Sequence, residues 1–135
     1  MAKVKFPHFT PDEAEVLEEF MRKGPLEGKW SFDVHLKSLK AERIPVEDTV
    51  YRMMWEKLTA KRIDAVCETY NSINIIEVKR VMLASGIGQL MLYSYMYNKQ
   101  FKPKKPVYLW YVVKYHDPDV VEYCRNIGIK TWWMV

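Results

Sequence analysis

Residues 62–80 read Arg62-Ile63-Asp64-Ala65-Val66-Cys67-Glu68-Thr69-Tyr70-Asn71-Ser72-Ile73-Asn74-Ile75-Ile76-Glu77-Val78-Lys79-Arg80, and this stretch decides the fold. Two runs rich in β-branched residues flank Tyr70-Asn71-Ser72, which is turn material, so the stretch predicts a β-hairpin. Side chains alternate between faces along a strand, which puts Ile73, Ile75, Glu77 and Lys79 on one side of the second run. Charge therefore stands where the alternation predicts another hydrophobe, at the C-terminal end of a strand. Open α/β sheets place their sites at such ends. With an even number of residues in the connecting loop, antiparallel pairing sets Asp64 opposite either Glu77 or Lys79, and all three side chains share a face.

The remaining elements extend outward from this hairpin. Upstream, Thr10-Pro11-Asp12-Glu13 combines an N-cap hydroxyl, a proline at the first helical position and a glutamate placed to close a capping box, and Gly24-Pro25 ends the helix after Lys23. Trp30, Phe32, Val34 and Leu36 alternate with polar residues, which predicts a strand with one buried face. Pro45 to Leu58 favours helix, although Val50-Tyr51 and Trp55 also suit extended chain. Downstream, Ala84 to Asn98 predicts a helix apolar on nearly every side, with Gly86 and Gly88 expected to admit a close neighbour. A lysine-rich loop, Lys99 to Pro106, leads into the uninterrupted apolar run Val107 to Val113, expected to be a central strand covered on both faces. Asp117-Pro118 then starts a helix that runs to Asn126 and stops at Gly128, before a short strand around Lys130 to Trp133. This order implies an α/β protein with a mixed central sheet flanked by helices on both faces.

The chain has 135 residues, 49% of them hydrophobic and 28% charged, with a net charge of +4. That length supports a single core, so residues 1–135 are expected to form one domain. No apolar run approaches the ~18 residues of a membrane span and no signal-peptide h-region stands out, which predicts a soluble protein with a cytoplasmic, intracellular location and no membrane partner. The cysteines number 2, too few for a disulfide scaffold, a four-cysteine zinc site or a four-cysteine iron-sulfur cluster. The mild positive charge allows a polyanionic partner without requiring one.

Two carboxylates, Asp64 and Glu77, together with a strand carbonyl form a hard-oxygen set suited to Mg²⁺ or Mn²⁺. Lys79 beside them is placed to orient a water, to help deprotonate it, or to stabilise charge on phosphate oxygens. Asp64 followed by Glu77-Val78-Lys79 at the end of an apolar strand resembles the PD-(D/E)XK nuclease superfamily. Gln89-Leu90-Met91-Leu92-Tyr93 in the following helix is similar to the Gln-x-x-x-Tyr element of its RecB-like branch, notably small single-domain archaeal, viral and phage members. The likeness spans roughly Trp30 to Val113, with its core from Arg62 to Tyr93.

The resemblance implies a restriction-endonuclease-like core and a Mg²⁺-dependent deoxyribonuclease, with Mn²⁺ able to substitute. It implies that Asp64, Glu77 and the Val78 carbonyl hold the metal, that Lys79 positions the attacking water, and that Gln89 and Tyr93 orient the site or the strand. Two departures matter. Arg62-Ile63 stands where the superfamily's eponymous proline precedes the aspartate, and the iron-sulfur subtype would need four cysteines. Helicase-fused members are far longer, so a helicase, recombination or replication partner would be a separate protein.

Several residues keep two readings. Glu13 lies within the apolar arc of the first helix, either as a further metal ligand or as the closing half of the capping box with Thr10. Arg62 and Arg80 flank the carboxylates, balancing their charge or touching phosphate. Lys102, Lys104 and Lys105 form either a solvated connector or a contact to the DNA backbone. Trp132 and Trp133 suit either a homodimer contact or packing against the body. His8, His35 and His116 have no metal-ligand spacing and read as structural. As a whole the chain fits a nuclease, a non-catalytic nucleic-acid-binding or assembly module of the same fold, or a nuclease subunit active only with a helicase-type partner.

Overall fold

The computed structural model describes residues 8–39, 50–51, 53–54 and 61–135. Helix α1 (Pro11–Lys23) starts as its capping signature dictates: the Glu13 N–H donates to the Thr10 hydroxyl at 3.3 Å, and that hydroxyl donates to the Glu13 carboxylate at 2.9 Å. Five strands follow, β1 (Lys29–Leu36), β2 (Lys61–Glu68), β3 (Ile73–Val81), β4 (Val107–Tyr115) and β5 (Ile129–Trp133), lying in the sheet in chain order. β1, β2 and β3 are antiparallel, and β3, β4 and β5 are parallel. Parallel neighbours need crossovers. Helices α2 (Ala84–Phe101) and α3 (Pro118–Ile127) supply them.

The sheet is mixed and carries helices on both faces, as the element order implied. On one face Ile87 and Leu90 of α2 and Val121 and Cys124 of α3 pack with Ile73, Ile75, Tyr111 and Val113. On the other, Val16, Leu17 and Phe20 of α1 pack with Ile76, Val78, Trp110 and Val112. The Phe20 ring lies 5.3 Å from Trp132 and 5.4 Å from Trp110, an aromatic cluster that anchors α1 across the parallel strands. No described helix is long and apolar enough to cross a membrane.

Three expectations are corrected. β1 does not keep one buried face: Trp30 and Phe32 pack on the α1 side, while Val34 and Leu36 pack on the α2 side. The switch falls at Asp33, which has φ 48° and is missing from the ladder between the pairs Phe32↔Ala65 and Val34↔Ile63. Aspartate tolerates this left-handed backbone better than most side chains. Of the two glycines expected to admit a neighbour, only Gly86 does: a Cβ there would stand 2.2 Å from the Tyr111 hydroxyl oxygen, whereas one on Gly88 would meet nothing within 4 Å. α2 also runs past Asn98 to Phe101, so Lys99 is helical rather than in the loop. In the ambiguous stretch Pro45 to Leu58, Val50, Tyr51, Met53 and Met54 are helical and exposed, and the other residues of that reading lie outside the described ones.

Candidate functional site

The site is a fork in the sheet. β2 and β3 pair from Glu68↔Ile73 to Ala65↔Ile76, and no further. Beyond that point β2 continues with β1 as far as Lys61, and β3 continues with β4 as far as Val81. Extending the register sets Asp64 across from Glu77, one of the two partners expected from the hairpin. Asp64 closes the fork itself: its Oδ2 accepts the Val78 N–H at 2.8 Å, replacing the lost ladder bond. In a strand the N–H and C=O of one residue point to the same side, so the Val78 carbonyl also faces the gap.

Glu77 is only 3% exposed and Asp64 is partly buried. Burial, followed by the charge of Asp64, pushes the Glu77 carboxyl up to about 8. Burial likewise pushes Asp64 up to about 6, against the pull of the Val78 N–H and of Lys79. Like charges in one desolvated space disfavour double ionisation, which is why both carboxyls shift upward. Lys79 Nζ stands 3.5 Å from Glu77 Oε1. Burial works to lower its ammonium, but the charges of Glu77 and Asp64 outweigh burial and raise it. Lys79 therefore stands beside the carboxyls as a cation and hydrogen-bond donor.

Two residues of β4 that sequence reasoning passed over support the end of β3. Tyr111, the β4 partner of Glu77, is fully buried, and its hydroxyl donates to the Leu83 carbonyl at 2.8 Å and accepts the Leu83 N–H at 3.0 Å. This pair of hydrogen bonds ties the N-cap of α2 to the sheet beside the carboxylates, and Gly86 is the residue that lets the helix come so close. A tyrosine inside an apolar run was the available signal, since a buried phenol needs a partner. Lys114 was the other: it breaks the same run at the strand's end. Its Nζ lies 3.1 Å from Asp12 Oδ1, and Arg80 Nε donates to Asp12 Oδ2 at 2.7 Å. The hydrogen bonds from Lys114 and Arg80 hold the Asp12 carboxyl below its usual range.

The other expected site residues are spread around this centre. Glu13 sits in the capping box, and its charge reaches Asp64 and Lys79 without joining them in a ligand set. Arg62 Nη1 donates to His8 Nδ1 at 3.2 Å. Gln89 is half-buried and Tyr93 packs on the α2-side core; among the described residues no hydrogen bond joins either to Asp64, Glu77 or Lys79. The lysine loop lies at the opposite end of β3: the Ile73 N–H bonds the Pro106 carbonyl, which puts the loop roughly 20 Å along the strand from Lys79. Lys105 is held there by Glu68 at 3.0 Å, while Lys102 and Lys104 are exposed. The rings of Trp132 and Trp133 pack on opposite faces of the body, Trp133 stacked on His116 at 4.2 Å.

Among the described residues no three His, Cys, Asp or Glu side chains gather into a group that would hold a metal ion. Magnesium, however, is commonly bound by only one or two carboxylates with waters. The donor set fits such an ion: two facing carboxyls short of positive charge, and a carbonyl aimed into the same gap. Compared with known proteins, the chain matches no family model, no curated protein and no solved structure. Fold and site together define a mixed α/β protein with a carboxylate–lysine cluster in a fork of its sheet.

Proposed function

We propose that the protein is a divalent-metal-dependent DNA nuclease that hydrolyses phosphodiester bonds. One observation carries the reading: Asp64 and Glu77 are desolvated side by side with a single lysine. A surface ion-pair network would leave such groups in water, and burying two like charges is unfavourable unless further positive charge joins them. In this reading Asp64, Glu77 and the Val78 carbonyl hold Mg²⁺, with Mn²⁺ able to substitute. The bound ion supplies Lewis-acid polarisation of the scissile phosphate and makes water nucleophilic near neutral pH.

The chain's own residues supply positioning. Lys79 stays protonated, so it donates to the incoming water or to a non-bridging phosphate oxygen as charge develops there. Tyr111 fixes the start of α2 against the sheet, and α2 carries Gln89 and Tyr93 toward the strand being cut. Arg80, held by Asp12, is the basic residue next to Lys79 offered to the phosphate backbone. A location inside the cell beside its DNA, and a separate helicase, recombination or replication protein as partner, belong to the same proposal.

The test is digestion of linear duplex, circular single-stranded and branched DNA with Mg²⁺ or Mn²⁺. Cutting is expected in at least one case, with a loss of roughly 10²–10³-fold in Lys79→Ala and near-complete loss in Glu77→Ala. Undiminished cutting by either variant would overturn the assignment, and salt-dependent DNA binding with no cutting under any condition would favour a non-catalytic module.

A further inference from the structure

A second concave surface lies on the α2 side of the sheet, at the far end of the β2 arm of the fork. It is a groove of about 620 Å³ between the C-terminal half of α2 and the ends of β1 and β2. Leu92, Tyr95 and Lys99 line one wall at the i, i+3, i+7 spacing of a single helix face. Lys37 and Lys61, at the ends of the paired strands β1 and β2, line the other, and Lys102 stands at the end where α2 stops in a left-handed cap of φ 46°. The walls are pinned together by the Lys37 N–H, which donates to Gln100 Oε1 at 2.8 Å.

The charge of this groove is one-sided. None of the described lining residues is acidic, and none of the four lysines pairs with a carboxylate of the described residues. Its apolar part is equally open: Tyr95 is 65% exposed and Leu92 46%. Ammonium groups with no carboxylate partner among the described residues, set around an exposed tyrosine, are the combination that takes single-stranded nucleic acid, phosphates on the lysines and an unstacked base on the ring. Duplex does not offer its base faces, because they are stacked on their neighbours. The volume, within the range of small-ligand pockets, suits a nucleotide or two of an open strand.

We infer that this groove seats a single-stranded segment of DNA and leads it toward the carboxylate fork. Lys61 begins the strand that carries Asp64, three residues and roughly 10 Å further along. That direction rests on the nuclease reading; the binding does not. The substrate class that follows is DNA with an unpaired strand, such as a 3′ or 5′ tail or a flap, rather than blunt duplex.

Fluorescence anisotropy with a labelled oligo(dT) of about 15 nucleotides in EDTA tests the binding. Lys61→Glu with Lys99→Glu is expected to weaken binding at least about 10-fold and to lower the salt slope by about 1.4, the share of two phosphates on a single strand. Tyr95→Ala is expected to weaken it by roughly 5- to 100-fold with the slope unchanged, since it removes stacking and no charge. Lys23→Glu, on α1 and paired with Glu19, serves as the control for general charge and is expected to bind as the parent does. Glu77→Gln is expected to bind oligo(dT) normally while failing to cut, so loss of the nuclease reading and loss of this one are separable. The inference is overturned if the double lysine variant binds as the parent does, if blunt duplex or oligo(rU) binds more tightly through the same lysines, or if thymidine monophosphate competes as well per molecule as the oligonucleotide.

Discussion

Replacing Glu77 with glutamine is expected to stabilise the metal-free protein at alkaline pH while removing cleavage. Burial and the facing charge of Asp64 raise the Glu77 carboxyl from 4.5 to about 8. A carboxyl raised in the folded state contributes stability that is present below its unfolded value and is lost as pH rises through its folded one. At about 1.4 kcal/mol per pH unit, the distance from 4.5 to about 8 sets a ceiling of roughly 5 kcal/mol on the destabilisation of the parent once Glu77 ionises. Losing the attraction of Lys79, and imperfect bonding of the new amide, reduce what the variant recovers to about 1–2 kcal/mol at pH 9. For a domain of this size that corresponds to a Tm higher by roughly 3–8 °C. Scanning calorimetry in EDTA at pH 9 and at pH 5 reads it directly, and the gap is expected to close at the lower pH, where the parent carboxyl is already protonated. A variant less stable than the parent at pH 9, or an equal gap at both values, would refute the reasoning.

Three further outcomes follow from packing and hydrogen bonding. Gly86→Ala drives a Cβ to 2.2 Å from the Tyr111 hydroxyl and is expected to destabilise by about 1–3 kcal/mol. Gly88→Ala on the same helix meets open space and is expected to stabilise by about 0.5–1 kcal/mol. Urea denaturation measures both, and effects of the same sign would contradict the account of α2. Asn74 is 1% exposed, accepts the Trp110 Nε1–H at 2.9 Å and donates to the Cys67 carbonyl and the Ser72 hydroxyl. Asn74→Leu strands the indole donor and is expected to lower stability by about 1–3 kcal/mol in the same experiment; a neutral effect would show that the network carries no net stability.

Much of this architecture is legible in the sequence because local rules set it. Thr10-Pro11 and Asp117-Pro118 start helices where capping chemistry places them, and Gly128 ends α3 at φ 85°, a conformation that glycine adopts without strain. The turn between Glu68 and Ile73 fixes the parity that brings Asp64 and Glu77 together. Long-range features were hidden from such rules. Alternation alone does not show that β1 changes faces at Asp33, since that depends on one residue's backbone angle, nor that β2 and β3 part beyond Ala65, since register is a property of the pair. Lys102, Lys104 and Lys105 read as either a solvated connector or a contact to the DNA backbone, and charge type carries no position; the parallel crossover puts them at the other end of β3 from Lys79. Lys99 and Lys102 have a place of their own in the groove, visible only once α2 is laid across β1 and β2.

The proposed activity requires Asp64 and Glu77 to act together as a metal site. Titration of the metal-free protein with Mn²⁺ at pH 8, followed by calorimetry and by the electron paramagnetic resonance of free Mn²⁺, tests it most directly. Saturable binding is expected in the parent, to be lost in Asp64→Asn and in Glu77→Gln, and to persist in Lys79→Met. Binding that survives loss of either carboxylate, or no binding by the parent, would contradict it.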